Sequence, residues 1–112
     1  MINGRQKGFA YEREIADEIK QIFPDVKRHL EYQMQECAGF DLDNTKLHDW
    51  DFKVQCKRGR KYAPINKIFE VKEDGIPLLV TRGDRCESMV AMKLKDFIMI
   101  LDAYKKLSEY WN

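Results

Sequence analysis

Residues 50–57 read WDFKVQCK. Trp50, Phe52, Val54 and Cys56 alternate with Asp51, Lys53, Gln55 and Lys57, which is the period-two pattern of a half-buried strand. The strand runs straight into Arg58, Arg60 and Lys61, so FKVQCKRGRK, 52–61, presents Lys53, Gln55 and Lys57 on one face and a basic cluster beyond them. A strand that only supports a core has no need of such a face. Gln55 and Lys57, two residues apart, share it. Beside an acceptor oxygen, a lysine can stabilise phosphate charge or help position a water. Taken alone, the pair fits a solvent-facing strand side equally well.

Outward from this strand, the elements follow from periodicity and punctuation. Upstream, FAYEREIADEIKQIF, 9–23, places Phe9, Ile15, Ala16, Ile19, Ile22 and Phe23 on one helical face, and Pro24 closes it. VKRHLEY, 26–32, reads as a short strand, and 33–49 holds strand ends with a turn around Asn44. Downstream, YAPINKIFEVKEDG, 62–75, reads as a turn and then a helix, with Pro64 near its first turn and Gly75 past its end. IPLLVTR, 76–82, is apolar enough for a strand buried on both faces. GDR, 83–85, is a turn and SMVAMK, 88–93, a further strand. LKDFIMILDAYKKLSEYW, 94–111, is an amphipathic helix expected to close the fold by packing on the sheet. The order predicts a single α/β domain, 1–112, built in three layers on a mixed sheet. It carries no Gly-rich phosphate loop.

Composition narrows the classes. A hydrophobic fraction of 44% supplies a core and argues against disorder. The formal net charge of +1 argues against a protein that simply coats DNA, but the charges are segregated. Residues 31–51 carry Glu31, Glu36, Asp41, Asp43, Asp49 and Asp51 against the single base of the lysine and arginine type, Lys46, whereas 53–61 carry five bases and no acid. That is either a solvated, salt-bridged surface or a metal site beside a phosphate-binding surface. Cys37, Cys56 and Cys86 match no zinc spacing and are odd in number, so a reduced, cytoplasmic protein is expected. No apolar run approaches ~18–20 residues, and MINGRQKG has no signal-peptide core, so no membrane partner is expected.

Two further groups point to chemistry. Glu12 falls near the middle of the apolar arc of the first helix, whereas Glu14, Asp17 and Glu18 lie outside it. An inward carboxylate costs several kcal/mol unless paired or bound to a cation. The alternatives are a cation, an internal salt bridge to Arg28 or Lys57, or a helix end that is not fully buried. Asp41 and Asp43, in GFDLDN, share a face and offer the oxygen ligands Mg²⁺ takes, although an Asx turn accounts for one of them.

In chain order, an inward helix Glu, an Asp some 30 residues on, and an acceptor-x-Lys strand resemble the PD-(D/E)xK nuclease superfamily. KGFAYERE, 7–14, resembles the opening KGxxxER segment of archaeal-type Holliday junction resolvases. GFDL stands where the metal-binding Asp would be and VQCKRGR where the (D/E)xK would be; QCKRG followed by YAP is similar to small phage-encoded resolvases. The resemblance covers roughly residues 5–84. It implies a restriction-endonuclease-like domain, a central mixed sheet flanked by helices. It implies a catalytic set of Glu12, Asp41, Gln55 and Lys57. Asp41 would be the central ligand of Mg²⁺ (or Mn²⁺), with Gln55 and Glu12 completing the metal set, and Lys57 the catalytic lysine. Asp43 is a weaker rival to Asp41. Lys7, Arg13, Arg58, Arg60 and Lys61 would contact DNA. The implied activity is hydrolysis of phosphodiester bonds at four-way junctions in branched double-stranded DNA, by a C2 homodimer that makes two symmetric cuts. Gln55 departs from the pattern, because the usual residue is acidic and Gln offers one neutral oxygen. That leaves open another nuclease of the superfamily (nicking, repair or restriction-like) and a catalytically silent DNA-binding module.

Overall fold

The computed structural model describes residues 4–29 and 39–111. The chain runs through α1 (Gly4–Ile19), β1 (Lys27–Arg28), β2 (Leu42–Asp43), β3 (Lys46–Leu47), β4 (Trp50–Arg58), a 3₁₀ segment (Ile65–Glu70), β5 (Ile76–Arg82), β6 (Met89–Ala91) and α2 (Leu94–Trp111). The sheet is mixed and open, ordered β1-β2-β4-β5-β6, with β3 pairing β4 as well. Only β4 and β5 run parallel, in register from Phe52 opposite Ile76 to Arg58 opposite Arg82. The other pairings are antiparallel.

The strand pattern at 50–57 holds, but its two faces are both covered. Val54 and Cys56 join Leu42 and Val80 under Tyr11, Ile15 and Ala16 of α1, which form the main core. On the opposite face lies the 3₁₀ segment with Ile68 buried, above Gln55, Leu79 and Thr81, each 5% exposed or less. The expected polar, open face of β4 is therefore roofed at Gln55. The roof is pinned where Ala63 N–H donates to Thr81 Oγ1 at 2.8 Å. A parallel β4–β5 pair requires a crossover, and this short one brings the segment back over the sheet.

Several boundaries shift for local reasons. α1 begins at Gly4, ahead of the first apolar repeat, and ends at Ile19; Ile22 and Phe23 N–H close a last turn on Ile19 O, and Ile22 is exposed. The expected strand 26–32 is a two-residue bridge at Lys27–Arg28; its part beyond His29, including Glu31, lies outside the described residues, as do Glu36 and Cys37. The helix expected in 62–75 is a six-residue 3₁₀ segment after Pro64, a form that stays short because its hydrogen bonds are poorly aligned. The expected strand 88–93 narrows to β6.

The last helix has the expected bounds, but it does not close the fold. No residue of α2 is buried, and it lies along the side of the domain with Ala103 beside Leu47–Trp50. The sheet is thus layered by α1 on one face and the 3₁₀ segment on the other, with α2 outside.

Candidate active site

The site arises where the β2–β4 ladder ends. β2 pairs with β4 at Leu42 and Val54, and Asp41 N–H still donates to Val54 O at 2.7 Å. There the Asp41 side chain replaces a backbone acceptor: its Oδ2 takes the N–H of Cys56 at 2.7 Å. A buried strand donator must find an acceptor, and here a carboxylate supplies it at the margin of the sheet. This holds Asp41 rigidly beside the C-terminal half of β4.

Glu12 reaches the same place from α1. Its side chain is buried, and its Oε2 accepts Arg28 Nε at 3.3 Å, so the internal salt bridge is present. Burial pushes the Glu12 carboxyl above its ordinary range, and the neighbouring Asp41 charge pushes it further; Arg28 and Lys57 oppose both. Asp41 is raised too, chiefly by burial, against the Cys56 N–H, Lys57, His29 and Arg28. Two carboxyls that disfavour each other's ionisation, with a lysine in the field of both, form a pair whose strain a cation would relieve. Asp43 is drawn elsewhere: its Oδ2 meets His29 Nε2 at 2.6 Å, while His29 Nδ1 meets Phe40 O at 3.1 Å.

Gln55 is 2% exposed, and its two amide atoms have different fates. Nε2 donates to Glu70 Oε2 at 3.3 Å. Oε1 is buried with no hydrogen-bond partner among the described residues. A buried, unsatisfied carbonyl costs about 1–3 kcal/mol, which makes it a natural seat for a ligand. Glu70 is the residue that sequence reasoning missed. Its carboxyl is held below the usual range by Lys67, 3.1 Å away, with help from Lys57 and Gln55. It lies 15 residues from Gln55, on a segment read as a plain helix, and no local pattern points to it. Gly39 offers an indirect signal. At φ +88° it lets the chain pass so close to the 3₁₀ segment that a Cβ there would stand 2.1 Å from Glu70 O. The glycine of GFDL thereby sets Asp41 and the Glu70 backbone on neighbouring chain segments.

The basic residues divide. Arg58 Nη1 and Lys7 Nζ both bind Asp84 Oδ1 at 2.9 Å, and the pair holds the Asp84 carboxyl below its usual range. Arg13, Arg60 and Lys61 are exposed. Lys7 and Arg58 also line, with Ala10, Tyr11, Glu14 and Arg82, a groove of about 240 Å³ between α1 and the ends of β4 and β5. A larger concavity, about 710 Å³, lies at the far end among Ile22, Phe23, Pro24, Asn44 and Lys46, away from all of these groups.

No group of three or more His, Cys, Asp or Glu among the described residues is placed to hold an ion. Glu12 and Asp41 supply two carboxylates, and the orphaned Gln55 Oε1 belongs to the residue next to Cys56, on the face of β4 that carries the 3₁₀ segment. The two carboxylates are oxygen donors of the kind taken by a hard cation that keeps several waters. Compared with protein-family models, curated protein sequences and solved structures, the chain matches none.

Proposed function

We propose that the protein is a metal-dependent, structure-selective DNA endonuclease acting on four-way junctions. The observation that carries this reading is the convergence of Glu12 and Asp41 within the field of Lys57, with Asp41 held by the N–H of Cys56, the neighbour of Gln55 on β4. Residues distant in sequence meet there with the charges and oxygens that phosphodiester hydrolysis uses.

A bound Mg²⁺ would supply Lewis acidity toward the phosphate and a lowered pKa for a coordinated water. Asp41, fixed by the Cys56 N–H, and Gln55 Oε1 would hold it, with Glu12 orienting the water. Lys57 offers positive charge where the phosphoryl oxygens gain negative charge, an effect worth several kcal/mol of barrier. Glu70, which accepts Gln55 Nε2 at 3.3 Å, would supply beside that residue the negative charge that the strand position lacks. Arg13, Arg60 and Lys61 are free to meet flanking phosphates, and Arg58 and Lys7 do so by exchanging Asp84 for DNA.

The neutral side chain at 55 favours a second reading, a DNA-binding module that does not cut. A synthetic four-way junction and a linear duplex of the same arm sequence, each with Mg²⁺, with Mn²⁺ and with chelator, separate the two. Metal-dependent cutting confined to the junction is expected. Junction binding without cutting in any metal establishes the second reading, and equal cutting of both DNAs points to a nuclease of another specificity.

A further inference from the structure

The 3₁₀ segment and β6 together form an exposed strip on the face of the sheet away from α1. Pairing sets Met89 opposite Thr81 and Ala91 opposite Leu79, and paired residues share a face. Leu79 and Thr81 lie under the 3₁₀ segment, so Met89 and Ala91 continue the face that it covers. The stretch 62–69 runs alongside β6. At one end Tyr62 Oη donates to Glu87 O at 2.7 Å, and at the other Lys93 Nζ stands 5.5 Å from the centroid of the Phe69 ring. Tyr62, Ile65, Phe69 and Met89 are 42%, 74%, 63% and 54% exposed along it. At ~2 Å per residue of 3₁₀ helix and ~3.3 Å per residue of extended chain, the strip is roughly 15–20 Å long. The backbone beneath is fixed by the Ala63–Thr81 hydrogen bond and the burial of Ile68, so the rings are held in place before any ligand arrives.

We infer that this strip binds unpaired nucleotides of single-stranded DNA, with bases stacked on Phe69 and Tyr62 and phosphates on the lysines between and beside them. The charge around the strip selects that occupant. Residues 60–72 hold Arg60, Lys61, Lys67 and Lys72 against one acid, Glu70, which Lys67 binds at 3.1 Å. The β6 side, 87–93, adds Glu87 and Lys93, so the strip carries five bases against two acids, a net charge of +3. Of the acids that follow, Glu73 binds Lys53 at 3.3 Å and Asp74 lies in the bend before β5. In chain order Lys61, Tyr62, Lys67, Phe69 and Lys72 alternate cations with rings, the alternation that a strand of phosphates and bases presents. The like charge opposes a second copy of the chain. The exposed apolar area, on the order of 450 Å² at ~200 Å² per side chain, falls short of the ~800 Å² that a stable protein partner would cover. On its inner side the same segment sets Glu70 against Gln55, so nucleotides held here border the candidate site. The inference concerns the binding of unpaired bases and does not rest on cutting.

Anisotropy titrations in chelator, with a fluorescent oligo-dT of about ten nucleotides and an abasic oligomer of the same length, test it. The abasic strand keeps every phosphate and lacks the bases. The wild-type chain should hold oligo-dT at least about tenfold more tightly than the abasic strand. Phe69→Ala should remove most of that difference and leave the abasic affinity unchanged, and Phe69→Trp should preserve it. Phe69→Leu keeps an apolar side chain without the ring, so it makes the same comparison even where Phe69→Ala fails to fold. Equal affinity of the wild-type chain for the two strands overturns the inference, as does a preference for oligo-dT that survives Phe69→Leu unchanged, or binding to phosphatidylserine vesicles without binding to oligo-dT. Junction cutting with metal reads the nuclease proposal separately. A chain that cuts junctions but does not distinguish the two strands overturns this inference alone, and one that prefers oligo-dT but cuts nothing supports it and overturns the nuclease reading.

Discussion

Gln55→Glu is the most informative substitution, because it places a charge where the structure has a neutral donor. Gln55 Nε2 lies 3.3 Å from Glu70 Oε2. A carboxylate in its place sets two negative charges at that distance, about 5 kcal/mol at an effective dielectric of ~20. Glu70 keeps 42% of its side chain in solvent, so screening reduces this to roughly 2–3 kcal/mol. Without metal, the variant should therefore melt about 10 °C below wild type. With Mg²⁺ the sign reverses. The added charge lies beside the cation, and the metal concentration for half-maximal stabilisation and cutting should drop about tenfold, the equivalent of ~1.4 kcal/mol. Gln55→Ala loses the oxygen, so its half-saturation should rise or its activity vanish. Gln55→Glu with Glu70→Gln removes the repulsion and should restore the wild-type melt in chelator. Thermal melts in chelator and across a Mg²⁺ series, paired with junction cleavage, read all four proteins. Equal half-saturation for wild type, Glu and Ala, with equal melts in chelator, would refute the assignment of Gln55 to the metal and to Glu70.

Asp41→Asn and Lys57→Ala should each lower junction cutting by at least ~100-fold while the chain stays folded and binds junctions, since Asn still accepts the Cys56 N–H; near wild-type rates would remove that residue from the site. The raised carboxyls of Glu12 and Asp41 mean that the folded chain holds protons more tightly than the unfolded one, so metal-free stability should be fullest below their ordinary values of 4.5 and 3.8 and should decline as pH rises through the elevated ones. Denaturant titrations from pH 4 to 7 should show that decline flattened in Glu12→Gln, and a wild-type chain that gains stability over this range would contradict it. Asp84→Asn frees Arg58 and Lys7, so junction affinity should rise; Arg60→Ala or Lys61→Ala should flatten the slope of log affinity against log salt by about one unit, as measured by binding titrations at several salt concentrations.

Periodicity along the chain was enough to place β4, β5 and α2, because a strand's alternation and a helix's apolar stripe are local properties of neighbouring side chains. The inward position of Glu12 was legible for the same reason, and its partner Arg28 was among the alternatives. What covers each face was not. Gln55 alternates like a surface residue, yet it is buried, because the crossover between two parallel strands returns a 3₁₀ segment over it. Glu70 reaches Gln55 across 15 residues, and Asp84 captures Arg58 across 26 and Lys7 across 77. The amphipathic pattern of α2 marks the face that seeks a partner but says nothing of whether that partner is its own sheet, and here it is not. Local pattern reports which side of an element avoids water. Only the tertiary arrangement decides what meets it there, because those contacts depend on chain segments whose sequence separation leaves no periodic trace.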